Sequence, residues 1–343
     1  MLKRILVAPL TLVLLGAAAA TGQATASAHD AHGTHGAASD MSNMQGMQGM
    51  NGTSARTGTA TTVLSQSDRS ARAEYFVARL KGTNEVPVAG GPAVGDKDGR
   101  AVAVIKVKGS VVSYAFAWKG ITAPTLAHIH QGKAGVNGPV KVGLIGTALP
   151  DTSTAAAGAV NSTDTATLAA LEKDPSAFYV NLHSTAFPGG AVRGQFSALQ
   201  RPVDLLGVVN PGGEHAFMDG GQEVPVAGKP AVGDPDGFAS AFIKARGSEV
   251  DYSFVWVGIG SPTLGHIHQG KAGVNGDVKV PLFMTPVPDG VFALSGSVTG
   301  VDRTLVGQIR NHPGGFYANL HSAEFPGGAV RGQLSRTPRW SGE

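Results

Sequence analysis

The chain has 343 residues, of which 49 are Gly, 20 are Pro, none is Cys and 15% are charged. This length accommodates about two globular domains, and the 42% apolar share is enough to fill their cores. The absence of Cys excludes disulfides, thiolate metal sites and cysteine nucleophiles, so any metal ion must be held by His, Met or carboxylate ligands.

Residues 1–28 have the pattern of a secretory signal peptide. Lys3 and Arg4 precede an apolar run at 5–15, and an Ala-Ser-Ala cleavage site ends at Ala28. Removing this segment lowers the formal charge from +3 to +1, because it contains two basic and no acidic residues. A nucleic-acid partner is therefore not expected. No later apolar stretch is long enough for a membrane span, so we expect a secreted, extracellular product.

Residues 29–71 are rich in Gly, Ser, Thr and Ala, a composition that predicts a disordered tail. This tail also concentrates two kinds of metal ligand. They are His29, His32, His35, Met41, Met44, Met47 and Met50. Imidazole and thioether together favour copper, since Met binds Cu(I) and His can hold Cu(II). The alternative is a low-complexity spacer that binds nothing.

The rest of the chain contains one unit twice. Gly-Thr-Asn-Glu-Val-Pro-Val-Ala at 82–89 recurs as Gly-Gly-Gln-Glu-Val-Pro-Val-Ala at 220–227, and later landmarks keep the same offset of 138 residues. The segments 128–138 and 266–276 are identical, whereas residues 146–177 share little with their counterpart. The predicted organisation is domain 1 at 72–200, a linker at 201–209, domain 2 at 210–336 and a C-terminal tail at 337–343.

Each copy has the pattern of a mainly β domain, with short runs of β-branched and aromatic residues between Gly-rich breaks. In the first copy the predicted strands are 75–80, 100–107, 111–118, 126–130, 140–145, 177–183 and 191–196. Asp164 and Asp302 each predict the start of a short helix. We therefore expect an all-β protein of two tandem immunoglobulin-like antiparallel β-sandwich or barrel domains, each with one short helix.

The segment His128-Ile129-His130 is the sharpest local feature of the first copy. Residues i and i+2 of a strand face the same side about 6.6 Å apart, so both imidazoles can converge on one ion. His183 is the candidate third ligand, and three neutral imidazoles with an open position suit copper or zinc. The second copy repeats the set as His266, His268 and His321. The alternative is a structural network in which these His bind loop carbonyls or Glu85 and its counterpart.

Two further polar residues recur at the same offset and predict a structural role. Glu85 and Glu223 precede Val-Pro, and Arg193 and Arg331 follow Gly-Gly-Ala-Val. We predict a buried Glu–Arg ion pair in each copy that locks the edge of the sheet. No nucleophile motif is found, and no catalytic residue is assigned.

Both copies resemble the chordin-type domain, CHRD. The resemblance rests on Gly-x-x-Glu-Val-Pro at 82–87, His-Ile-His-x-Gly at 128–132, and Asn-Leu-His-Ser…Phe-Pro-Gly-Gly-Ala-Val-Arg-Gly at 181–194, all repeated in order in the second copy. It implies an immunoglobulin-like β-fold and an extracellular location. Growth-factor binding, which is associated with animal chordin, is not implied, because this chain lacks the Cys-rich modules that accompany the domain there.

A looser resemblance is to copper–zinc superoxide dismutase, which also has a His-x-His pair on a strand and a late Gly-Gly stretch near an Arg. His128, His130 and Arg193 would match that pattern, and His183 is a candidate further ligand. The disulfide and an evident zinc loop are missing.

Three functional hypotheses follow from the sequence. The leading one is a secreted, non-enzymatic protein that binds metal ions, copper foremost, through the tail and through the His trio of each domain. The second is an extracellular interaction module for a protein or cell-wall ligand, with structural His. The third is a superoxide dismutase-like copper redox enzyme in which Arg193 and Arg331 guide an anion.

Overall fold

A computed structural model of the chain describes residues 70–336. The predicted signal peptide, the His and Met residues of the N-terminal tail and the predicted C-terminal tail lie outside the described residues. Within 70–336, each copy of the repeated unit contributes eight strands and one short α-helix.

The strands of the two copies correspond one to one. Those of the first copy are β1 (Ala73–Lys81), β2 (Arg100–Lys108), β3 (Val111–Lys119), β4 (Leu126–Gln131), β5 (Val140–Ile145), β6 (Ser153–Asn161), β7 (Phe178–His183) and β8 (Val192–Leu199). Those of the second are β9 (Glu214–Asp219), β10 (Phe238–Arg246), β11 (Glu249–Val257), β12 (Leu264–Gln269), β13 (Val278–Phe283), β14 (Val291–Thr299), β15 (Phe316–His321) and β16 (Val330–Gln333).

The two α-helices are α1 (Thr165–Lys173) and α2 (Arg303–Asn311). Each begins where an Asp was predicted to cap it. The Asp164 carboxylate accepts the backbone N–H of Thr167 at 2.9 Å, and Asp302 accepts that of Leu305 at 2.9 Å. Single 3₁₀ turns occur at Gly82–Asn84, Pro175–Ala177, Leu206–Val208, Gly220–Gln222 and Pro313–Gly315.

Within the first copy the strand order is β6-β3-β2-β1-β8-β7-β4-β5, and all named pairings are antiparallel. The sheet half formed by β6, β3, β2 and β1 packs against the half formed by β8, β7, β4 and β5. Phe76 and Phe116 from the first half and Ile129 and Leu182 from the second belong to one buried apolar cluster. The expected all-β fold with one short helix per copy is confirmed.

The two copies are joined by a strand pairing as well as by the chain between them. β6 pairs antiparallel with β14, with Ala156 opposite Leu294 and Ala157 opposite Ala293, so all sixteen named strands form one continuous sheet. Val209, which is 3% exposed, packs with small residues of this junction such as Ala155. Pairing the two edge strands satisfies backbone groups that would otherwise be open to other chains.

The seven strands predicted in the first copy are confirmed to within a few residues, but β6 and β14 were not predicted. β6 has the sequence Ser-Thr-Ala-Ala-Ala-Gly-Ala-Val-Asn, and Ala and Gly have low intrinsic preference for strands. This segment becomes a strand because it is enclosed between β3 and β14. Among residues 70–336, no helix has the length and apolar content needed to cross a membrane.

Tyr252 and Tyr114 occupy equivalent positions next to the junction but differ in their hydrogen bonds. Tyr252 Oη lies 2.8 Å from Thr152 Oγ1, which in turn donates to the Leu282 carbonyl at 2.7 Å. Tyr114 Oη is buried and has no hydrogen-bond partner among the described residues. The difference follows from a sequence change between the copies. The residue equivalent to Thr152 is Gly290, which has no hydroxyl to offer Tyr114.

We expect Tyr252→Phe to lower the free energy of unfolding by about 1 kcal/mol, because it removes a buried hydrogen bond. Tyr114→Phe, the matched control, removes an unpaired hydroxyl and should leave the free energy of unfolding unchanged or raise it. Urea unfolding of both variants measures the difference, and equal losses would contradict this account of the junction.

Candidate metal centres

The alternation of β4 places two His side chains on the face of the sheet opposite the core. Ile129 is fully buried in the core, while His128 and His130 are half-buried on the other side. β7 pairs with β4 and brings a second polar row to the same face. That row consists of Tyr179, Asn181 and His183.

The structure brings the three predicted ligands of the first copy together. His128 Nδ1 lies 3.2 Å from His183 Nε2, and one nitrogen of His130 lies within 4.8 Å of both. Two nitrogens held at about 2.1 Å by one ion are about 3.2 Å apart when the angle at the ion is about 100°, which is close to tetrahedral. The His130 ring has to move towards the other two rings to complete the same coordination sphere.

Backbone carbonyls orient two of the three rings. His183 Nδ1 donates to the Pro188 carbonyl at 2.8 Å, and His130 Nδ1 donates to the Gly138 carbonyl at 3.0 Å. Because a carbonyl can only accept, both rings carry their proton on Nδ1 and present the lone pair of Nε2. His130 Nε2 is buried without a hydrogen-bond partner among the described residues. This arrangement is typical of metal-binding His, whose outer nitrogen is held by a second group.

Burial also keeps the rings in the form that binds metal. It lowers the pKa of His128 to about 4, with the neighbouring His183 and His130 contributing in the same direction. Burial likewise lowers the pKa of His130 and of His183, and their bonds to the carbonyls of Gly138 and Pro188 partly oppose this. At neutral pH all three imidazoles are therefore uncharged.

The second copy repeats the arrangement. His266 Nδ1 lies 3.1 Å from His321 Nε2, and one nitrogen of His268 lies within 4.8 Å of both. The carbonyls of Pro326 and Gly276 accept from His321 Nδ1 at 2.9 Å and from His268 Nδ1 at 2.9 Å. Burial lowers the pKa of all three rings, that of His266 to about 4.

Two contacts distinguish the second site from the first. His268 Nε2 lies 3.1 Å from Asn319 Oδ1, and both atoms are acceptors because the His268 proton is on Nδ1, whereas the equivalent His130 Nε2 and Asn181 Oδ1 have no hydrogen-bond partner among the described residues. His266 Nε2 lies 3.3 Å from Met284 Sδ. Sequence reasoning missed Met284, although comparison of the copies at the offset of 138 would have found it, because Gly146 occupies the equivalent position.

Arg193 and Tyr179 form a stack with His130. The guanidinium carbon of Arg193 is 3.3 Å from the centroid of the Tyr179 ring, and the His130 ring is stacked on Tyr179 at 4.7 Å with an interplanar angle of 7°. Since β7 lies between β4 and β8, the two groups cover opposite faces of the ring. Arg331, Tyr317 and His268 form the same stack in the second copy.

Arg193 is also the anchor of the loop that covers the site. Its guanidinium donates to the carbonyls of Lys133 at 3.1 Å and Val136 at 2.7 Å, and to Asn137 Oδ1 at 3.0 Å. The residue is 1% exposed. It is therefore not placed to guide an anion from solvent, as the redox-enzyme hypothesis required, and the same holds for Arg331, which is also 1% exposed.

The predicted direct Glu–Arg ion pairs are not formed. In the described part of the chain, ion pairs within 4.0 Å join Arg72 to Glu74 and Lys279 to Asp277. Three hydrogen bonds from each buried Arg go instead to two loop carbonyls and one Asn side chain. Glu85 and Glu223 instead each have a buried Oε1 without a hydrogen-bond partner among the described residues.

The family model described as the CHRD domain matches residues 76–196 and 215–334. The chain belongs to the CHRD family. Both His trios lie inside the matched residues, as do the Arg–Tyr–His stacks. CHRD domains are typically extracellular. Comparison with curated proteins and with solved structures found no match.

The half-buried Glu of each CHRD domain predicts a pH dependence of stability. Burial raises the pKa of Glu85 to about 7, and the attraction of Arg193 lowers it in part. Burial raises the pKa of Glu223 to about 7, opposed by Arg331 and by a hydrogen bond from Asn319. In the unfolded chain both carboxyls titrate near 4.5. For these two carboxyls the folded state holds an extra proton between pH 4.5 and about 7, so their contribution to stability is most favourable below 4.5 and is lost as pH rises to about 7. The His trios, whose pKa values are lowered, act in the opposite direction over this range.

We expect Glu85→Gln with Glu223→Gln to gain stability relative to the wild type as pH rises from 5 to 8, on the order of 2 kcal/mol per carboxyl, because the variant lacks the loss that these carboxyls cause. Urea unfolding at pH 5 and pH 8 measures it. Glu324→Gln changes an exposed carboxyl and should leave the wild-type profile intact. A double variant that loses as much stability as the wild type between the two pH values would contradict the role assigned to these carboxyls.

Proposed function

We propose that this protein is an extracellular metal-binding protein whose two CHRD domains each hold one transition-metal ion, copper foremost, with three His. The observation that carries the proposal is the convergence of three neutral imidazoles in each domain, with nitrogens within 4.8 Å of one another. The bound ion would take His128 Nδ1, His130 Nε2 and His183 Nε2 in domain 1. No catalytic step is part of the proposal.

A structural hydrogen-bond network explains only part of the same geometry. It accounts for the bond between His128 and His183 and for the two bonds to backbone carbonyls. In domain 1 it leaves His130 Nε2 buried without a hydrogen-bond partner, which costs on the order of 1–3 kcal/mol. In domain 2 it leaves the lone pair of His268 Nε2 facing the acceptor Asn319 Oδ1. A metal ion would satisfy this nitrogen together with the other two, which favours the metal-binding role.

The choice of copper rests on ligand chemistry. Without Cys, the sites offer imidazole alone or imidazole beside thioether, and copper binds nitrogen sites more tightly than other divalent first-row metals. The His and Met of the N-terminal tail, from His29 to Met50, are proposed to capture copper and pass it to the domains or to buffer it.

The test is a copper titration of the full mature chain in which the seven tail ligands are replaced, His by Asn and Met by Leu. We expect two bound ions per chain by elemental analysis, with nitrogen ligands in the electron paramagnetic resonance spectrum of Cu(II). Replacing His128, His130 and His183 by Gln should remove one ion, and replacing His266, His268 and His321 should remove the other. His312→Gln, an exposed His at the end of α2, is the matched control.

Unfolding curves of each trio variant would show that it is folded. If the tail-substituted chain held no copper while remaining folded, the domain sites would be refuted. If it bound zinc and not copper, the identity of the metal would be overturned while the sites remained.

A second candidate function is binding of a cell-wall ligand by domain 2, and one observation favours it. Two Phe residues and one Val lie exposed on the neighbouring strands β9, β10 and β11: Phe217, Phe238 and Val257 are 72%, 57% and 42% exposed, and we call them the aromatic face after its two Phe rings. Exposed apolar clusters of this kind mark interaction sites, and flat aromatic rings suit the faces of sugar rings. The equivalent positions of domain 1 are Arg79, Arg100 and Lys119.

We expect wild-type protein to sediment with insoluble cell-wall glycan and Phe217→Ser with Phe238→Ser to lose most of that binding. Arg79→Ser with Arg100→Ser changes the equivalent positions of domain 1 and should retain it. Equal sedimentation of the two variants would rule out the aromatic face as the binding surface, and unchanged binding by both trio variants would separate this function from metal binding.

A further inference from the structure

The two metal sites differ at one position beside the trio. Met284 directly follows β13, and its Sδ atom lies 3.3 Å from His266 Nε2. The equivalent residue of domain 1 is Gly146, so that position offers no thioether. The Met284 side chain is 58% exposed, and packing in a core therefore does not account for its presence.

Hydrogen bonds around His266 determine which of its nitrogens carries the proton. The Pro326 carbonyl accepts Nδ1–H of His321 at 2.9 Å, which leaves His321 Nε2 as an acceptor. That acceptor takes the proton of His266 Nδ1, 3.1 Å away. The neutral His266 ring therefore has its lone pair on Nε2, the atom that faces Met284.

The contact between His266 and Met284 thus joins two acceptors. The imidazole lone pair and the thioether sulfur face each other at 3.3 Å with no proton between them. An ion with a nitrogen ligand at about 2.0 Å and a sulfur ligand at about 2.3 Å has those ligands about 3.3 Å apart at an angle of about 100°. Imidazole with thioether is a ligand pair that selects Cu(I).

We propose that His266 Nε2 and Met284 Sδ form an outer Cu(I) position at the mouth of the domain 2 trio, and that domain 1 has no such position. The inference rests on the proposed metal binding by the trio. It adds a route by which Cu(I) reaches the trio of domain 2. Domain 2 would take up Cu(I) first, while domain 1 would bind copper through imidazole alone.

Transfer from the outer to the inner position requires one exchange of protons on His266. The proton on Nδ1 leaves to water, and Nε2 takes up a proton from water when it releases the ion, so the ring stays neutral. Nδ1 is then free to bind the ion together with Nε2 of His268 and Nε2 of His321. The new Nε2–H faces Met284 Sδ, a weak acceptor, so Met284 has a partner in both states.

The test follows the ¹³C-labelled methyl groups of Met by NMR in the full mature chain, titrated with Cu(I) without oxygen. Met284→Leu identifies the Met284 signal by its loss. We expect this signal to shift with Cu(I) and not with Zn(II), to shift still in His321→Gln, and to stop shifting in His266→Gln. Loss of the sulfur in Met284→Leu should weaken Cu(I) binding by domain 2 about tenfold or more.

Gly146→Met provides the matched gain of function. An added side chain at Gly146 meets no heavy atom within 4 Å of its Cβ position, so the variant should fold. We expect a new methyl signal that shifts with Cu(I) and a Cu(I) affinity of domain 1 that rises about tenfold.

The outcomes separate this inference from the proposed function. A Met284 signal that stays in place while both trios bind copper would overturn the outer position and leave the metal-binding function standing. A Met284 signal that shifts only when His321 is present would also overturn it. Failure of either trio to bind any copper would overturn the proposed function itself.

Discussion

A buried guanidinium without a direct ion pair is the constraint on which each site depends. Arg193 lies 1% exposed between the Tyr179 ring and the carbonyls of Lys133 and Val136. Burying a charge is costly unless its donors are satisfied, so the loop must close over the sheet and offer its carbonyls. The same closed loop supplies the Gly138 carbonyl that fixes the tautomer of His130. Arg193 holds the loop in place, and the Gly138 carbonyl of that loop determines that Nε2 of His130 faces the site.

The strand order of the continuous sheet keeps the two candidate sites far apart. β6 and β14 pair at the centre of the strand order, whereas the trios lie on β4 and β7 and on β12 and β15, near its opposite ends. The two trios therefore share no side chain among the described residues. Coupling between the sites would require a two-state element that both of them bias. If both trios bind metal as proposed, their separation in the sheet favours independent binding.

Patterns that depend on one strand or one turn could be predicted from sequence, and contacts that depend on the chain environment could not. The alternation of a strand predicts that the two His of His-x-His share one face, and the preference of Asp for the N-cap position of a helix predicts the two caps. The constant offset revealed the duplication. β6 escaped prediction because an Ala-rich run has little strand preference until it is enclosed by β3 and β14. The prediction of a Glu–Arg ion pair was wrong. Recurrence of both residues at the same offset does not reveal which acceptors compete for the Arg, and here Asn137 and two loop carbonyls accept hydrogen bonds from Arg193.

The differences between the copies carry as much functional information as their common core. The trio, the two carbonyls that orient it and the Arg–Tyr stack are identical in both, so the inner sites have the same imidazole ligands. Around this shared centre, domain 1 has Gly146 and a basic outer face, while domain 2 has Met284 and an aromatic one. Met284 and the exposed Phe residues of domain 2 have no counterpart of the same type in domain 1. A soft ion beside His266, as proposed, would satisfy the sulfur and the lone pair that face each other there, which a purely structural role for the trio leaves unpaired.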